Sequence, residues 1–321
     1  MTNPSQSPAV SDDMIVDAYR MFLGRTPADI SKLHFDSFDA LISNLYHSPE
    51  FRASPRARKN ALTWPEAQYF VAPAQKVIYC PIGKNACSFF KQAMVKLGGH
   101  PHSATILRSV HMLTDHVKTG MQLSDYAPDD AESFMADPEM FRFAILRDPA
   151  RRLLSAYIEK FVNTRTENTN VTHHTGPVVR AVQTAEGLET PDFARGISFQ
   201  AFVDHITAMP AEQLDPHWRP QHLYLGAYEW PNLYTFDSLP RAVADLEART
   251  GITLDATAVN RTGSGAGTPH QGAQDLLPPE LDRLLPLSEA SFLTPEIRER
   301  LTAYYATDYE LIHSVNPRTA S

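Results

Sequence analysis

Residues 76–91, which read KVIYCPIGKNACSFFK, constrain the fold more than any other part of the sequence. An apolar, β-rich run over 76–81 leads into a short loop, and a helical pattern follows over 89–97. Unpaired backbone N–H groups at a helix start point into such a loop, where the helix dipole adds positive potential. Lys84 and Ser88 add a full charge and a hydroxyl within reach of an anion held there. The stretch therefore predicts a strand, an anion-binding loop and a helix.

The order of residues in this loop is not that of a Walker A motif. No glycine lies five residues before Gly83, and Asn85 stands where a Ser or Thr should follow the lysine. The sequence therefore argues against an ordinary kinase or nucleoside triphosphatase, although a nucleotide-dependent kinase of similar fold stays open as an alternative.

A second stretch, FRFAILRDPARRLLSAY over residues 141–157, also reads as strand, turn and helix. Asp148 and Pro149 suit the cap and the first position of that helix. Ser155 lies about two helical turns beyond Asp148 and Pro149, on the same face of the helix as these two residues. Strands alternating with helices indicate a parallel sheet, whose ligands bind beyond the carboxyl ends of the strands. The predicted fold class is α/β, with a P-loop-like three-layer core and a small N-terminal α-helical module.

Other segments of this domain have weaker patterns. Residues 104–112 are mixed enough to be loop or strand, and residues 126–138 are acidic and loop-like. The strand of the second stretch is predicted over 141–146. A further helix is predicted over 239–250, where Gly251 ends it.

Together the two stretches resemble the sulfotransferases that use 3′-phosphoadenosine 5′-phosphosulfate (PAPS), in particular the family 2 group with the Golgi carbohydrate sulfotransferases. The resemblance implies that Arg147 and Ser155 hold the 3′-phosphate. It also implies that the 5′-phosphosulfate is held by Lys84, Asn85, Ala86, Cys87, Ser88 and Phe89. Cys87 itself is expected to be a small buried hydrophobe.

Three softer motifs follow in the order of the family. Residues 215–221, DPHWRPQ, resemble a His-Trp-x-Pro-Gln element. Residues 259–265 are similar to an Asn-rich segment that closes over the nucleotide, which would give Arg261 and Thr262 a part in binding. Residues 306–312 are similar to the terminal Tyr-x-x-Asp element. The resemblance covers roughly residues 74 to 313.

The implied reaction is in-line sulfuryl transfer, which depends on positioning and electrostatic stabilisation. Lys84 is the expected cation at the bridging oxygen. An acceptor hydroxyl needs a general base, and His111 and His217 are the two candidates. An acidic residue of the polar insertion over 163–196, which is expected to be a lid or a substrate-facing segment, also stays open.

No metal site is predicted. His173 and His174 are adjacent but lack a cysteine or a properly spaced third ligand, so a solvent-exposed pair is expected. The implied reaction itself requires no metal.

The chain divides in sequence into a disordered tail over 1–11, a helical module over 12–58 and a sulfotransferase domain over 70–315. The helical module resembles a short repeat of unknown function appended to bacterial carbohydrate-active and secreted proteins. A basic linker around residues 52–59 and Trp64-Pro65 mark the boundary.

Composition excludes some classes of protein. The net charge of −8 does not favour nucleic-acid binding. The two cysteines, Cys80 and Cys87, flank the loop and suit reduced thiols better than a disulfide framework. No apolar run approaches the roughly 18 residues of a membrane span, and the N-terminus lacks the features of a signal peptide. A soluble, bacterial-like, cytoplasmic protein is expected, unlike the membrane-anchored animal members.

The sequence therefore predicts a PAPS-dependent sulfotransferase that acts on a hydroxyl of a carbohydrate or glycoconjugate. The alternatives are the nucleotide-dependent kinase and a non-catalytic binding module whose N-terminal helices recruit partners. The sequence identifies neither the acceptor nor the oligomeric state.

Overall fold

The computed structural model describes residues 10–57, 59–163, 169–255 and 267–315. Of the tail predicted over 1–11, only residues 10 and 11 are among them, and Ser11 caps the first helix by accepting a hydrogen bond from the N–H of Met14. None of the helices in these ranges is long and apolar enough to cross a lipid bilayer.

Four short strands hydrogen-bond in the order β1-β2-β3-β4: β1 (Phe70–Ala72), β2 (Val77–Cys80), β3 (Phe141–Leu146) and β4 (Asn232–Thr235). β1 runs antiparallel to β2, with Val71 opposite Ile78, and the sheet is otherwise mostly parallel. Every residue of β2 is buried, as expected for a strand covered on both faces. The predicted α/β class is confirmed.

Fourteen α-helices lie in the described ranges. They are α1 (Asp12–Leu23), α2 (Phe38–His47), α3 (Pro49–Ala53), α4 (Cys87–Gly98), α5 (Ser103–Arg108), α6 (Val110–His116), α7 (Pro128–Ala136), α8 (Pro149–Tyr157), α9 (Thr169–Ala185), α10 (Phe199–Thr207), α11 (Leu239–Thr250), α12 (Pro278–Leu284), α13 (Pro295–Tyr304) and α14 (Ala306–Val315). A π-helical turn, Ile158–Asn163, continues α8.

The chain forms two compact units, and β3 contributes residues to both. The first comprises Met1–Pro81, Ser88–Phe143 and Asp245–Leu254. Its core includes the ring of Tyr79, stacked on Phe143 at 4.8 Å between centroids. The second comprises Ile82–Cys87, Ala144–Ala244 and Asp255–Ser321.

The core of the second unit is aromatic. Phe161 lies 4.9 Å from Phe202, and Phe202 lies 5.3 Å from Trp218, between ring centroids. Tyr157 stacks on Phe161 at 5.5 Å and donates its hydroxyl hydrogen bond to the carbonyl of Ile197. This core fixes α8, which carries Arg152 and Ser155 of the site described below.

The N-terminal helices belong to the first unit. The Asp17 carboxylate of α1 lies 2.6 Å from Nδ1 of His102 and accepts a hydrogen bond from the Thr105 hydroxyl of α5. Phe22 packs against Phe51 with 5.0 Å between ring centroids. The boundary predicted at residue 58 stays a prediction. The hydrogen bonds of Asp17 nevertheless join α1 to α5, two helices on opposite sides of residue 58 in the sequence.

Two sequence predictions of irregular structure are wrong. Residues 104–112, predicted as loop or strand, form parts of α5 and α6. Each helix buries apolar residues, Ile106 on α5 and Val110 and Leu113 on α6. Residues 126–138, predicted as an acidic loop, contain α7. Two of its acidic residues, Asp129 and Asp130, fall in the first turn, where they suit the helix dipole.

We expect Phe22→Ala to lower the free energy of unfolding of the chain by about 3–5 kcal/mol, because it leaves a cavity at a fully buried site. Arg20→Ala on the exposed face of the same helix is the control, with an expected change of about 0.5 kcal/mol or less. Urea denaturation followed by circular dichroism measures both. Equal small losses would contradict a role for α1 in the core of the first unit.

Candidate active site

The loop between β2 and α4 has the backbone shape of an anion site. Lys84 and Ala86 have φ angles of +70° and +58°, and the φ angle of Asn85 between them is not positive. Alternation of this kind points successive N–H groups into one concavity. The N–H groups of Lys84 and Ala86 donate to no acceptor among the described residues. These groups and the start of α4 therefore form a ready donor set for an anion.

The side chain of Lys84 is mostly buried and forms an ion pair with Glu159 of the π-helical turn. Lys160 lies 3.4 Å from the same carboxylate. Burial raises the pKa of Glu159, but the charges and hydrogen bonds of the two lysines outweigh it and hold the pKa below its usual value. Glu159 is therefore ionised at neutral pH and holds the Lys84 ammonium in place.

Gln221, at the end of the DPHWRPQ element, connects the loop to the end of β3. Its Oε1 accepts hydrogen bonds from the Asn85 side chain at 2.6 Å and from the Arg147 N–H at 2.9 Å. Its Nε2 donates to the Arg147 carbonyl at 2.8 Å. Asn85 also donates to the Ile145 carbonyl at 2.7 Å. Asn85 and Gln221 are fully buried, so this network fixes the loop from beneath.

Asp308 of α14 holds the other side of Gln221. Its buried carboxylate accepts from the backbone N–H groups of Gln221, at 2.7 Å, and His222, at 2.9 Å. The terminal motif over 306–312 therefore supports the element over 215–221. The sequence showed that both motifs were present but not that they touch.

Arg147 brings the two principal motifs together. Its Nη1 donates to the Lys84 carbonyl at 3.0 Å, and its guanidinium lies 4.6 Å from the ring centroid of Phe236. Burial lowers the pKa of Arg147. The ordinary pKa of an arginine is so high that the guanidinium still stays charged at any physiological pH. The guanidinium is thus a cation held against the anion loop, and its other N–H groups can donate to a ligand.

Arg152 is the residue that sequence reasoning missed. It is 2% exposed and donates to the carbonyls of Gly83 at 2.9 Å, Arg219 at 2.7 Å and Pro216 at 3.0 Å. Its neighbour Arg151 instead pairs with Glu289 at the surface. The two arginines differ in which side of α8 they occupy. Arg152 lies on the buried, apolar side and Arg151 on the exposed side, a difference that the periodicity of the sequence could have shown.

The remaining predicted residues are placed as follows. Oγ of Ser88 lies 2.8 Å from Nε2 of His111, which is exposed on α6. Ser155 is buried on α8. Cys87 is half-buried and not the buried hydrophobe expected, because it opens α4 at the loop. Cys80 is the buried thiol, and neither cysteine forms a disulfide. Asp148 caps α8, as predicted. Arg261 and Thr262 lie outside the described residues.

His217 lies beside the loop, since a methyl group added to Gly83 would come within 4.0 Å of its Cδ2. Its Nδ1 is 2.7 Å from one carboxylate oxygen of Asp215, and Nδ1 of His174 is 2.6 Å from the other. An Nδ1–H hydrogen bond to a carboxylate leaves Nε2 with its lone pair. His217 is therefore oriented as a proton acceptor.

Burial lowers the pKa of His217, and the hydrogen bond and charge of Asp215 only partly offset it. Burial raises the pKa of Asp215, but hydrogen bonds from the two histidines reverse this and bring it well below its usual range. The pair is thus a neutral imidazole next to an ionised carboxylate, an arrangement suited to accepting one proton.

His174 is half-buried against Asp215, so the expected solvent-exposed pair holds only for His173. The fold brings Asp215 and His217 next to His174, although they are distant from it in the sequence. Potential ligand atoms of His174, Asp215 and His217 lie within 4.8 Å of one another, close enough to share a cation. The hydrogen bonds to Asp215 account for their proximity without one.

Residues 67–313 match the model of the sulfotransferase family. Carbohydrate sulfotransferase 14 of Homo sapiens is 27% identical over 50% of this chain and 42% of its own length. Carbohydrate sulfotransferase 10 of Homo sapiens is 30% identical over 43% of this chain and 37% of its own length. The chain spans half or less of the length of these curated relatives. No solved structure is significantly similar to it.

We expect Gln221→Glu to lower the free energy of unfolding by about 3 kcal/mol at pH 8, because a carboxylate cannot donate to the Arg147 carbonyl and would face Asp308. The new carboxyl should have a raised pKa in the folded protein, so the loss relative to wild type should shrink as the pH falls to 5. Urea denaturation at both pH values measures it. The control, Gln213→Glu at an exposed site, should cost about 0.5 kcal/mol or less; equal losses would contradict the network.

Proposed function

This chain belongs to the sulfotransferase family, and we propose that it transfers a sulfuryl group from PAPS to a hydroxyl of a carbohydrate or glycoconjugate. The observation that carries the proposal is the hydrogen bond from Arg147 to the Lys84 carbonyl. It places the cations of both principal motifs at one anion loop. The names of the curated relatives support a carbohydrate acceptor.

The residues present fit a donor with a phosphosulfate and a second phosphate. The N–H groups of the loop and the Lys84 ammonium suit the 5′-phosphosulfate, and the planar guanidinium of Arg147 suits the 3′-phosphate. Ser155 on α8 is the proposed hydroxyl partner of that phosphate. The part of Arg261 and Thr262 stays a prediction.

In the proposed reaction PAPS supplies the sulfuryl group. The acceptor oxygen forms a bond to sulfur as the sulfur–phosphate oxygen bond breaks, which leaves adenosine 3′,5′-bisphosphate. Lys84 offsets the charge that grows on the leaving phosphate. The hydroxyl proton goes to Nε2 of His217, and Asp215 stabilises the imidazolium that forms. Lys84 and Arg147 supply the positive charge, so we propose that no metal is needed.

His217 is the better of the two candidate bases. It lies beside Gly83 of the donor loop and has a carboxylate on Nδ1. Nε2 of His111 is instead engaged with the Ser88 hydroxyl. We therefore propose that His111 positions Ser88. Glu159 is a poor candidate for the base, because the two lysines beside it lower its pKa and engage its carboxylate.

The kinase alternative gains no support from the loop. The residue after the Walker lysine provides a hydroxyl for magnesium. Asn85 occupies that position here, and its side-chain amide is turned into the buried network with Gln221 and the Ile145 carbonyl. The cytoplasmic location and the domain boundaries stay predictions.

Calorimetric titration with adenosine 3′,5′-bisphosphate tests the donor site. We expect wild type to bind it in preference to ATP, and Arg147→Lys to weaken binding about tenfold or more, because an ammonium cannot form two parallel bonds to a phosphate. The matched control is Arg151→Lys, four residues further along the chain in α8, at an arginine that pairs with Glu289. Equal effects of the two variants, or a preference for ATP with magnesium, would overturn the donor assignment.

Comparison of His217→Ala with His111→Ala tests the base. We expect His217→Ala to lower kcat by about 100-fold or more while the affinity for the bisphosphate stays within about threefold. His111→Ala should change mainly the donor affinity. The reverse pattern would make His111 the base. Assays with and without EDTA show whether a metal contributes.

The pH dependence gives an independent check of the same base. The pKa of His217 is lowered from its ordinary value of 6.5, so kcat/KM should fall only as the pH drops below that value and the imidazole becomes protonated. In Asp215→Asn the carboxylate that raises this pKa is lost, so the midpoint should move to still lower pH. An unchanged midpoint in that variant would contradict the Asp215–His217 pair as the titrating unit.

A further inference from the structure

The carboxylate of Asp215 lies between two imidazoles. Its Oδ1 accepts hydrogen bonds from Nδ1 of His217 at 2.7 Å and from the backbone N–H of the same residue at 2.9 Å. Its Oδ2 accepts from Nδ1 of His174 at 2.6 Å, and no other residue in the described ranges donates to that oxygen. The rings of His174 and His217 meet edge to face, with 4.4 Å between centroids. The proposed transfer reaction gives parts to Asp215 and His217 but none to His174.

The charge of Asp215 decides where the hydrogens of this cluster lie. Burial raises the pKa of Asp215, but hydrogen bonds from the two histidines outweigh it and hold the pKa well below its usual range. An ionised carboxylate can only accept hydrogen bonds, so Nδ1 of each ring carries the hydrogen. His174 therefore shares the negative charge of Asp215 with His217.

His174 is anchored independently of the segment that carries the base. It lies on α9, 41 residues before Asp215 in the sequence. One helical turn further along α9, Val178 and Val179 belong to the buried core of the second unit. The side chains of His174 and Asp215 are 24% and 18% exposed, so water competes only weakly for the hydrogen bond between them. The core therefore holds a hydrogen-bond donor at a fixed point beside Asp215.

The terminal torsion of an aspartate side chain is soft, with a broad and roughly two-fold preference. Donors on Oδ1 alone would leave the carboxylate plane free to turn, and a donor on Oδ2 removes this freedom. We propose that His174 is a positioning residue for the transfer reaction, which fixes Asp215 from its far side so that the carboxylate stays aligned with Nδ1 of His217. His174 acts through these two residues and not on the donor or the acceptor. This inference rests on the proposed function.

The same contact affects how readily His217 accepts a proton. Burial lowers the pKa of His217, and the hydrogen bond and charge of Asp215 partly offset it. The charges of Lys160 and His174 lower this pKa further. Without the donor at position 174, more of the charge of Asp215 is available to His217, so its pKa should rise. The other cations at this element are two arginines that donate to backbone carbonyls, Arg152 to Pro216 and Arg219 to Leu214.

The test replaces His174 and observes His217 directly. His174→Phe keeps a ring but has no donor, and His174→Ala removes both. In His174→Asn the side-chain amide nitrogen takes the place of Nδ1, so a donor is restored. His173→Phe, at the exposed neighbour on α9, is the matched control.

Three measurements are made on each protein. NMR titration of the His217 imidazole, assigned with His217→Ala, gives the midpoint of its protonation without turnover. Transfer from PAPS to an unsulfated chondroitin hexasaccharide gives kcat. Calorimetry gives the affinity for adenosine 3′,5′-bisphosphate.

We expect the midpoint of His217 to move to higher pH in His174→Phe and His174→Ala, and to return towards the wild-type value in His174→Asn. At pH 8, kcat should fall about tenfold or more in the two variants without a donor, because the base is no longer held in one orientation. His174→Asn should recover most of this loss. His173→Phe should change neither quantity, and the affinity for the bisphosphate should be the same in all of these variants.

The proposal is overturned if the midpoint stays in place or moves to lower pH without the donor, since a purely structural role would lower kcat alone. It is also overturned if His174→Asn restores neither quantity, or if His173→Phe has an equal effect. Failure of the proposed function has a different signature, because no protein would then bind the bisphosphate or transfer the sulfuryl group. The NMR midpoints do not require turnover and decide the part of His174 in either case.

Discussion

The buried amide of Gln221 is the interaction on which the rest of the site depends. The anion loop holds Lys84 and Ala86 in the left-handed region, which costs about 1–2 kcal/mol for each residue. That conformation persists because the Asn85 side chain is fixed from below by Gln221 and the Ile145 carbonyl. The same amide holds the backbone of Arg147. One side chain thus sets the shape of the loop and the position of the cation beside it.

The arginines keep their charge available because most of their protein partners are neutral. Arg152 donates to three carbonyls and Arg147 to one, and neither guanidinium pairs with a carboxylate of the residues that the structure describes. A chain with a net charge of −8 therefore maintains local positive potential where the loop opens. Lys84 differs, because its partner Glu159 is anionic. A ligand anion at the loop competes with Glu159 for this lysine.

Local sequence patterns predicted the parts of this structure that short-range physics decides. β3 and α11 have the predicted bounds, since both are set by periodicity, caps and a helix-ending glycine. Contacts between distant segments could not be predicted in this way. Asp215 and His174 are 41 residues apart in sequence, and the carbonyls that hold Arg152 are more than 60 residues from it. The acidic stretch before β3 has the composition of a loop, but Asp129 and Asp130 lie in the first turn of α7, where they suit the helix dipole.

The hydrogen bonds of Asp308 also determine when the site can be completed during synthesis of the chain. The amides that it holds, those of Gln221 and His222, lie 87 and 86 residues earlier in the chain. During synthesis on a ribosome, β2, the loop, β3 and the DPHWRPQ element are all made before α14. Until α14 follows, the amides of this buried turn lack their acceptor, and the support beneath the loop is incomplete. The anion loop between β2 and α4 therefore gains its full support only after α14, the last helix described, has been synthesised.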